Sequence, residues 1–155
     1  MNDFMKIAIE EARRGVFSGA GGPFGAVIVK DGEIVSSAHN QVLFTQDPTM
    51  HAEIAAIREA CEKLGRFDLG DCEIYSTCQP CPMCLGAVIW AKIPKLYYGA
   101  SDSDAAAAGF DDERIYKVVK DGIGVDDILS AQIKDREECR ELFTEWMEKD
   151  DRLMY

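Results

Sequence analysis

The sequence predicts an α/β fold: a three-layer α/β/α sandwich whose central, mixed five-stranded sheet carries helices on both faces. Three observations carry this. The length, 155 residues, suits a single domain, 1–155, built round one core. The hydrophobic periods run αββαβαβ and then, after a weaker stretch, end in a helix. Two of the strand runs meet at Asp31-Gly32, a pair suited to a type I′ hairpin turn.

Each element follows from local pattern. In 3–17, Phe4, Ile7, Ala8, Glu11 and Ala12 recur at helical spacing. SGAGGPFG (18–25) is a glycine-rich loop without the GK[ST] of a phosphate loop. AVIVK and EIVSSA (26–38) flank Asp31-Gly32 as the hairpin arms, and 39–49 reads as loop. Residues 50–65 form a helix closed by Gly65, with Lys63 in the last turn. CEIYST (72–77) reads as a buried strand. CPMCLGAVIWAK (81–92) reads as a helix, since a proline is tolerated in a first helical turn. KLYYGA (95–100) is a strand, and 101–112 a loop or short helix. The pattern fades until 136–149, where Cys139, Leu142, Phe143, Trp146 and Met147 share one helix face.

Composition narrows the function classes. Net charge is −11, and it is uneven: residues 1–100 hold 12 acids against 9 bases, residues 101–155 hold 16 against 8. Affinity for nucleic acid comes largely from Lys and Arg on phosphates, so no nucleic-acid partner is expected. No apolar run approaches the roughly 20 residues that span a bilayer, so no membrane partner is expected either. MNDFMKIAIEEARRG lacks the uninterrupted apolar run of a secretory signal, which makes cytoplasm the expected location. Thiols stay reduced there, so the six cysteines read as ligands, catalytic groups or packing residues.

Three cysteines cluster in CQPCPMC (78–84). An iron–sulfur run would need a fourth cysteine where Val88 stands. A redox pair and a metal site both fit C-x-x-C. Upstream, His51-Ala52-Glu53 opens the 50–65 helix, and His51 is one of only two histidines. The two helix starts flank one strand, so they can meet at one end of the sheet. Such a meeting delivers one imidazole and the thiolates of Cys81 and Cys84 to a point, a three-ligand set for Zn²⁺. Cys78 is the remaining alternative: as a fourth ligand it would close the site and make it structural. Glu53 beside an open position would serve as the base that moves protons.

The paired segments H-x-E (51–53) and P-C-x-x-C (80–84), with 27 residues between Glu53 and Cys81, resemble the established signature of the zinc-dependent nucleobase and nucleoside deaminases. The resemblance extends through GGPFGAVIVKDG, DPTMHAEIAAIR and CEIYSTCQPCPMCLGAVIWA. Within that family the chain is most similar to the small bacterial guanine deaminases, on those segments, on AAAAGFDDERIYK (105–117) and on the terminal Tyr155.

The resemblance implies a cytidine deaminase-like fold and one zinc per subunit on His51, Cys81 and Cys84. It implies hydrolysis of guanine to xanthine and ammonia by a zinc-activated water, with Glu53 as proton shuttle and Asp112 assisting it or reading the base. It implies that Phe24, Asn40, Ala52, Trp90, Phe110 and Tyr155 bind or enclose the purine. It also implies a homodimer whose C-terminal segment, about 120–155, swaps between subunits. Taken singly, Phe24, Trp90 and Phe110 are ordinary core residues, Asn40 a turn residue, and Asp111 and Asp112 a solvated pair. The rival functions are tRNA adenosine deamination, deamination of cytosine or another amino-heterocycle, and a non-enzymatic zinc module.

Overall fold

Helix α1 (Asp3–Ser18) buries Ala8, Glu11, Ala12 and Gly15, one stripe at three- and four-residue spacing. The stripe is small because the helix lies almost on the backbone of β1 (Gly25–Lys30). A Cβ at Gly25 would stand 2.0 Å from the carbonyl oxygen of Ala8. The computed structural model describes residues 3–124 and 128–155 and resolves two compact units, Met1–Asp112 and Glu113–Tyr155.

In the first unit, β1 turns through Asp31 (φ 51°) and Gly32 (φ 80°) into β2 (Glu33–His39), the two positive φ values that a type I′ turn requires. A bulge at Ile28/Val29 interrupts the register. The strand order is β2-β1-β3-β4, where β3 is Cys72–Cys78 and β4 is Lys95–Ala100. β1 runs antiparallel to both neighbours and β3 runs parallel to β4, so the sheet is mixed as expected. Among the described residues it has four strands and not five. Beyond β4 the chain makes helices α5 (Asp102–Ala107) and α6 (Glu113–Asp121), and no described segment pairs with the outer edge of β4.

The two faces of β1 divide the core. Val27 and Val29 pack with Ala8, Tyr75 and the α1 residues Phe4, Met5 and Ile7. Ala26 and Ile28 pack with Ile74 and with helices α3 (Ala52–Leu64) and α4 (Pro82–Trp90) through Ala56, Ala60 and Val88. Helices therefore cover both faces. Fully burying a side chain such as Ile28 or Ile74 contributes about 1.5–3 kcal/mol. α3 stops at Gly65, which takes φ 64°, and the Arg66 N–H returns to the Cys61 carbonyl at 3.1 Å. A short helix α2 (Val42–Thr45) stands inside the stretch expected to be loop.

The second unit consists of α6 and α7 (Arg136–Glu148), with none of its described residues buried. α6 lies in the stretch whose sequence pattern had faded. The apolar face expected on α7 is present, and Leu142, Phe143 and Met147 are exposed.

Candidate metal centre and base-binding site

His51 and Cys81 hold equivalent places. Each has extended backbone angles and sits as the N-cap, just ahead of α3 and α4 respectively. Pro82 occupies the first position of α4, where a missing N–H leaves no bond unmade. Cys84 is then the third helical residue, and a side chain at N-cap naturally reaches back toward that position. Because α3 and α4 pack side by side on one face of the sheet, their N-termini converge.

The His51 Nδ1 atom stands 3.6 Å from Cys81 Sγ and 3.5 Å from Cys84 Sγ. Tetrahedral zinc, with bonds of about 2.3 Å to sulfur and about 2.0–2.1 Å to nitrogen, separates such ligand atoms by about 3.5 Å. All three ligand atoms lie within 4.8 Å of one another, so the donor set fits zinc in chemistry and in spacing. Cys78 is not in this group. It is buried, and its thiol donates to the carbonyl of Ser101 at 3.5 Å. Among the described residues no fourth side chain joins the three.

The ligands share charge before any ion binds. A hydrogen bond from the Cys84 thiol, helped by the His51 ring, pushes Cys81 down to about 4. Cys84 moves the other way and keeps its proton, chiefly because it donates to Cys81 and is buried. The bond to Cys81 raises His51. Two helix N-termini facing one point favour this retained negative charge.

Glu53 is buried in the first turn of α3, and its Oε1 accepts a hydrogen bond from Ser76 Oγ at 3.0 Å. Burial pushes its carboxyl up, against bonds from its own backbone, from Ser76 and from Cys84. A carboxyl raised in this way is suited to both taking and giving a proton. Asp112 is half-buried and is also raised, first by burial and then by the charge of Cys81. Asp112 acts on Cys78 as well, so it stands near the thiols.

An aromatic corner lies at the start of β1. Phe24 and Phe110 meet edge to face, with ring centres 5.0 Å apart and planes at 86°. Asn40 is buried, and its N–H donates to the Phe24 carbonyl at 3.0 Å. Its Oδ1 accepts from the Val42 N–H at 3.1 Å, a turn that starts α2. The next residue, Gln41, donates to the carbonyl of Met50, the neighbour of His51. Gly21 closes against Asn40: a Cβ there would fall 2.0 Å from Asn40 Oδ1.

Three residues named from sequence stand differently. The methyl of Ala52 is fully buried in the core, so only its backbone is left to meet a ligand. Trp90 is the last residue of α4, roughly 13 Å along the axis from Cys81, and is 68% exposed. This unit does not bring Trp90 to the ligands. Tyr155 ends the second unit and is exposed. Ser76 was not foreseen; the one available sign was a polar residue on the apolar side of β3, between Ile74 and Cys78.

Comparison with known proteins gives consistent matches. Residues 1–100 match the family described as the cytidine and deoxycytidylate deaminase zinc-binding region. The chain is 54% identical over 116 residues to guanine deaminase of Bacillus subtilis (strain 168), covering 75% of this chain and 74% of that protein. It is 48% identical over 99 residues to a tRNA-specific adenosine deaminase of Aquifex aeolicus (strain VF5), covering 64% and 65%. The X-ray structure of guanine deaminase from Bacillus subtilis superposes with a TM-score of 0.93 and 45% identity, over 100% of this chain and 99% of that one.

Proposed function

Since the chain belongs to the cytidine and deoxycytidylate deaminase zinc-binding family, we propose that it hydrolyses the exocyclic amine of a free purine base, converting guanine and water to xanthine and ammonia. The observation that carries this reading is the three-ligand cluster with Glu53 beside it and no fourth side chain among the described residues. Similarity in sequence and similarity in structure both lead to a guanine deaminase.

A zinc ion held by His51, Cys81 and Cys84 would supply the Lewis acidity that makes water a nucleophile at neutral pH. Glu53 would take a proton from the attacking water and pass it to the amine leaving C2 of the base, which departs as ammonia. Phe24 and Phe110 offer apolar ring surface to a flat heterocycle, and a few polar groups fix its orientation. With Oδ1 engaged by Val42, Asn40 presents its amide N–H₂ to an acceptor on the base. Asp112 accepts from the N–H edge that guanine has and adenine lacks. The two units work as parts of one deaminase module.

A second copy of this chain is the proposed partner. A 43-residue segment in which no described residue is buried does not sustain a fold alone, and no described segment pairs with the outer edge of β4, where Tyr97 and Tyr98 are half exposed. Exchange of the C-terminal segment between subunits would cover both surfaces and bring Tyr155 to the partner's base. Reduced thiols suit the cytoplasm.

The second reading is tRNA adenosine deamination, favoured by the Aquifex similarity. A charge of −11 works against a polyanionic substrate. Purified protein incubated with guanine, adenine, cytosine, guanosine and an anticodon-stem RNA, with ammonia release and bound metal measured on one batch, decides between them. Ammonia from guanine alone supports the proposal. Turnover of the RNA that falls steeply with salt would replace it.

A further inference from the structure

β3 turns Cys72, Ile74, Ser76 and Cys78 toward α3, and three of these four are apolar or thiol residues in a dry core. Ser76 is 2% exposed, and a hydroxyl placed there needs a partner. Ser36 shows how the fold treats another buried serine: its Oγ donates to the Ala56 carbonyl at 2.8 Å and so braces backbone. Ser76 differs, because its Oγ donates to the side chain of Glu53, at Oε1, over 3.0 Å.

We propose that Ser76 is a positioning residue for Glu53, its hydroxyl donating to Oε1 so that the carboxylate is held in one rotamer. The inference rests on the reading of Glu53 as the proton carrier. β3 is a central strand paired on both sides, so the hydroxyl is fixed by the stiffest part of the unit. Glu53 itself stands buried in the first turn of α3, and its bond to Ser76 ties that turn to β3.

The test compares Ser76→Ala, Ser76→Thr and Glu53→Gln as full chains loaded with zinc. Ser76→Ala is expected to lower kcat for guanine about 10- to 100-fold with KM within about twofold and zinc content unchanged. Ser76→Thr keeps the hydroxyl and is expected to recover most of the loss. A crystal structure of metal-free Ser76→Ala is expected to show Glu53 in a different rotamer. If truncation lowers the yield of folded protein, Ser76→Cys, with a weak donor of similar size, is expected to fall between Ala and wild type. A wild-type kcat for Ser76→Ala or Ser76→Cys beside an inactive Glu53→Gln overturns this inference alone. An active Glu53→Gln overturns the proton-carrier reading and this inference with it.

Discussion

Cys84 Sγ stands 3.5 Å from His51 Nδ1, although 33 positions separate the two residues in the chain. That spacing already matches tetrahedral zinc, so the folded chain needs little rearrangement to take up the ion. Cys84→Ala removes one of three ligands and leaves a set too small for a stable site. Bound zinc, measured by elemental analysis, is expected to fall to a trace and deamination with it. Chelation of the wild type should abolish activity, and added zinc should restore it. Stoichiometric zinc in Cys84→Ala would mean another side chain is the ligand.

Glu53→Gln keeps the size of the side chain and the acceptor for Ser76 while removing the group that exchanges protons. Loss of general acid–base transfer lowers kcat by about 10³-fold. Zinc content is expected to stay at one per chain. Activity within tenfold of wild type would show that protons travel by another route.

Asp112 lies at the end of the first unit, half-buried and under the influence of Cys81. In the proposed role of reading the guanine edge, it would make a charge-assisted bond to substrate. Asp112→Ala is expected to lower kcat/KM for guanine roughly 10- to 100-fold without loss of metal. Unchanged kinetics would remove Asp112 from the site and with it the main structural preference for guanine.

Gly21 leaves no room for a side chain beside Asn40. Gly21→Ala must move either the loop or the Asn40 amide. Overpacking of this kind costs about 1–3 kcal/mol, and a displaced amide should raise KM for guanine several-fold with zinc content unchanged. A variant with wild-type KM and wild-type melting temperature would show that the loop yields freely.

Asp71 supplies a pH dependence remote from the site. Hydrogen bonding from Arg66 holds its carboxyl down at about 2, from an ordinary 3.8. A depressed acid contributes stability above its unfolded pKa and loses it as pH falls toward the folded value. Wild type should therefore melt slightly above Asp71→Asn near neutrality, with the gap closing between about pH 4 and pH 2. The effect is small because the pair is exposed to solvent. A gap that stays constant down to pH 2 would assign the difference to something other than ionisation.

Sequence alone was enough to locate His51, Glu53, Cys81 and Cys84, because each announces itself locally. Pro82 marks the start of α4, the apolar period marks α3, and ligand residue types stand at both starts. The hairpin was equally legible, since Asp31 and Gly32 need nothing distant to turn the chain. Helix α6 was not legible, nor was the sheet's ending at four strands, because pairing beside β4 depends on segments far along the chain. The spacing of Cys78, Cys81 and Cys84 is the same in both gaps, so spacing alone left Cys78 open as a fourth ligand. Tertiary structure chose, by ending β3 so that Cys78 faces Ser101 while the N-cap geometry of α4 aims Cys81 and Cys84 at His51. The contact of Ser76 with Glu53 belongs to the same class: a side-chain meeting between a strand and a helix is set by how they pack, and periodicity within either one carries no record of it.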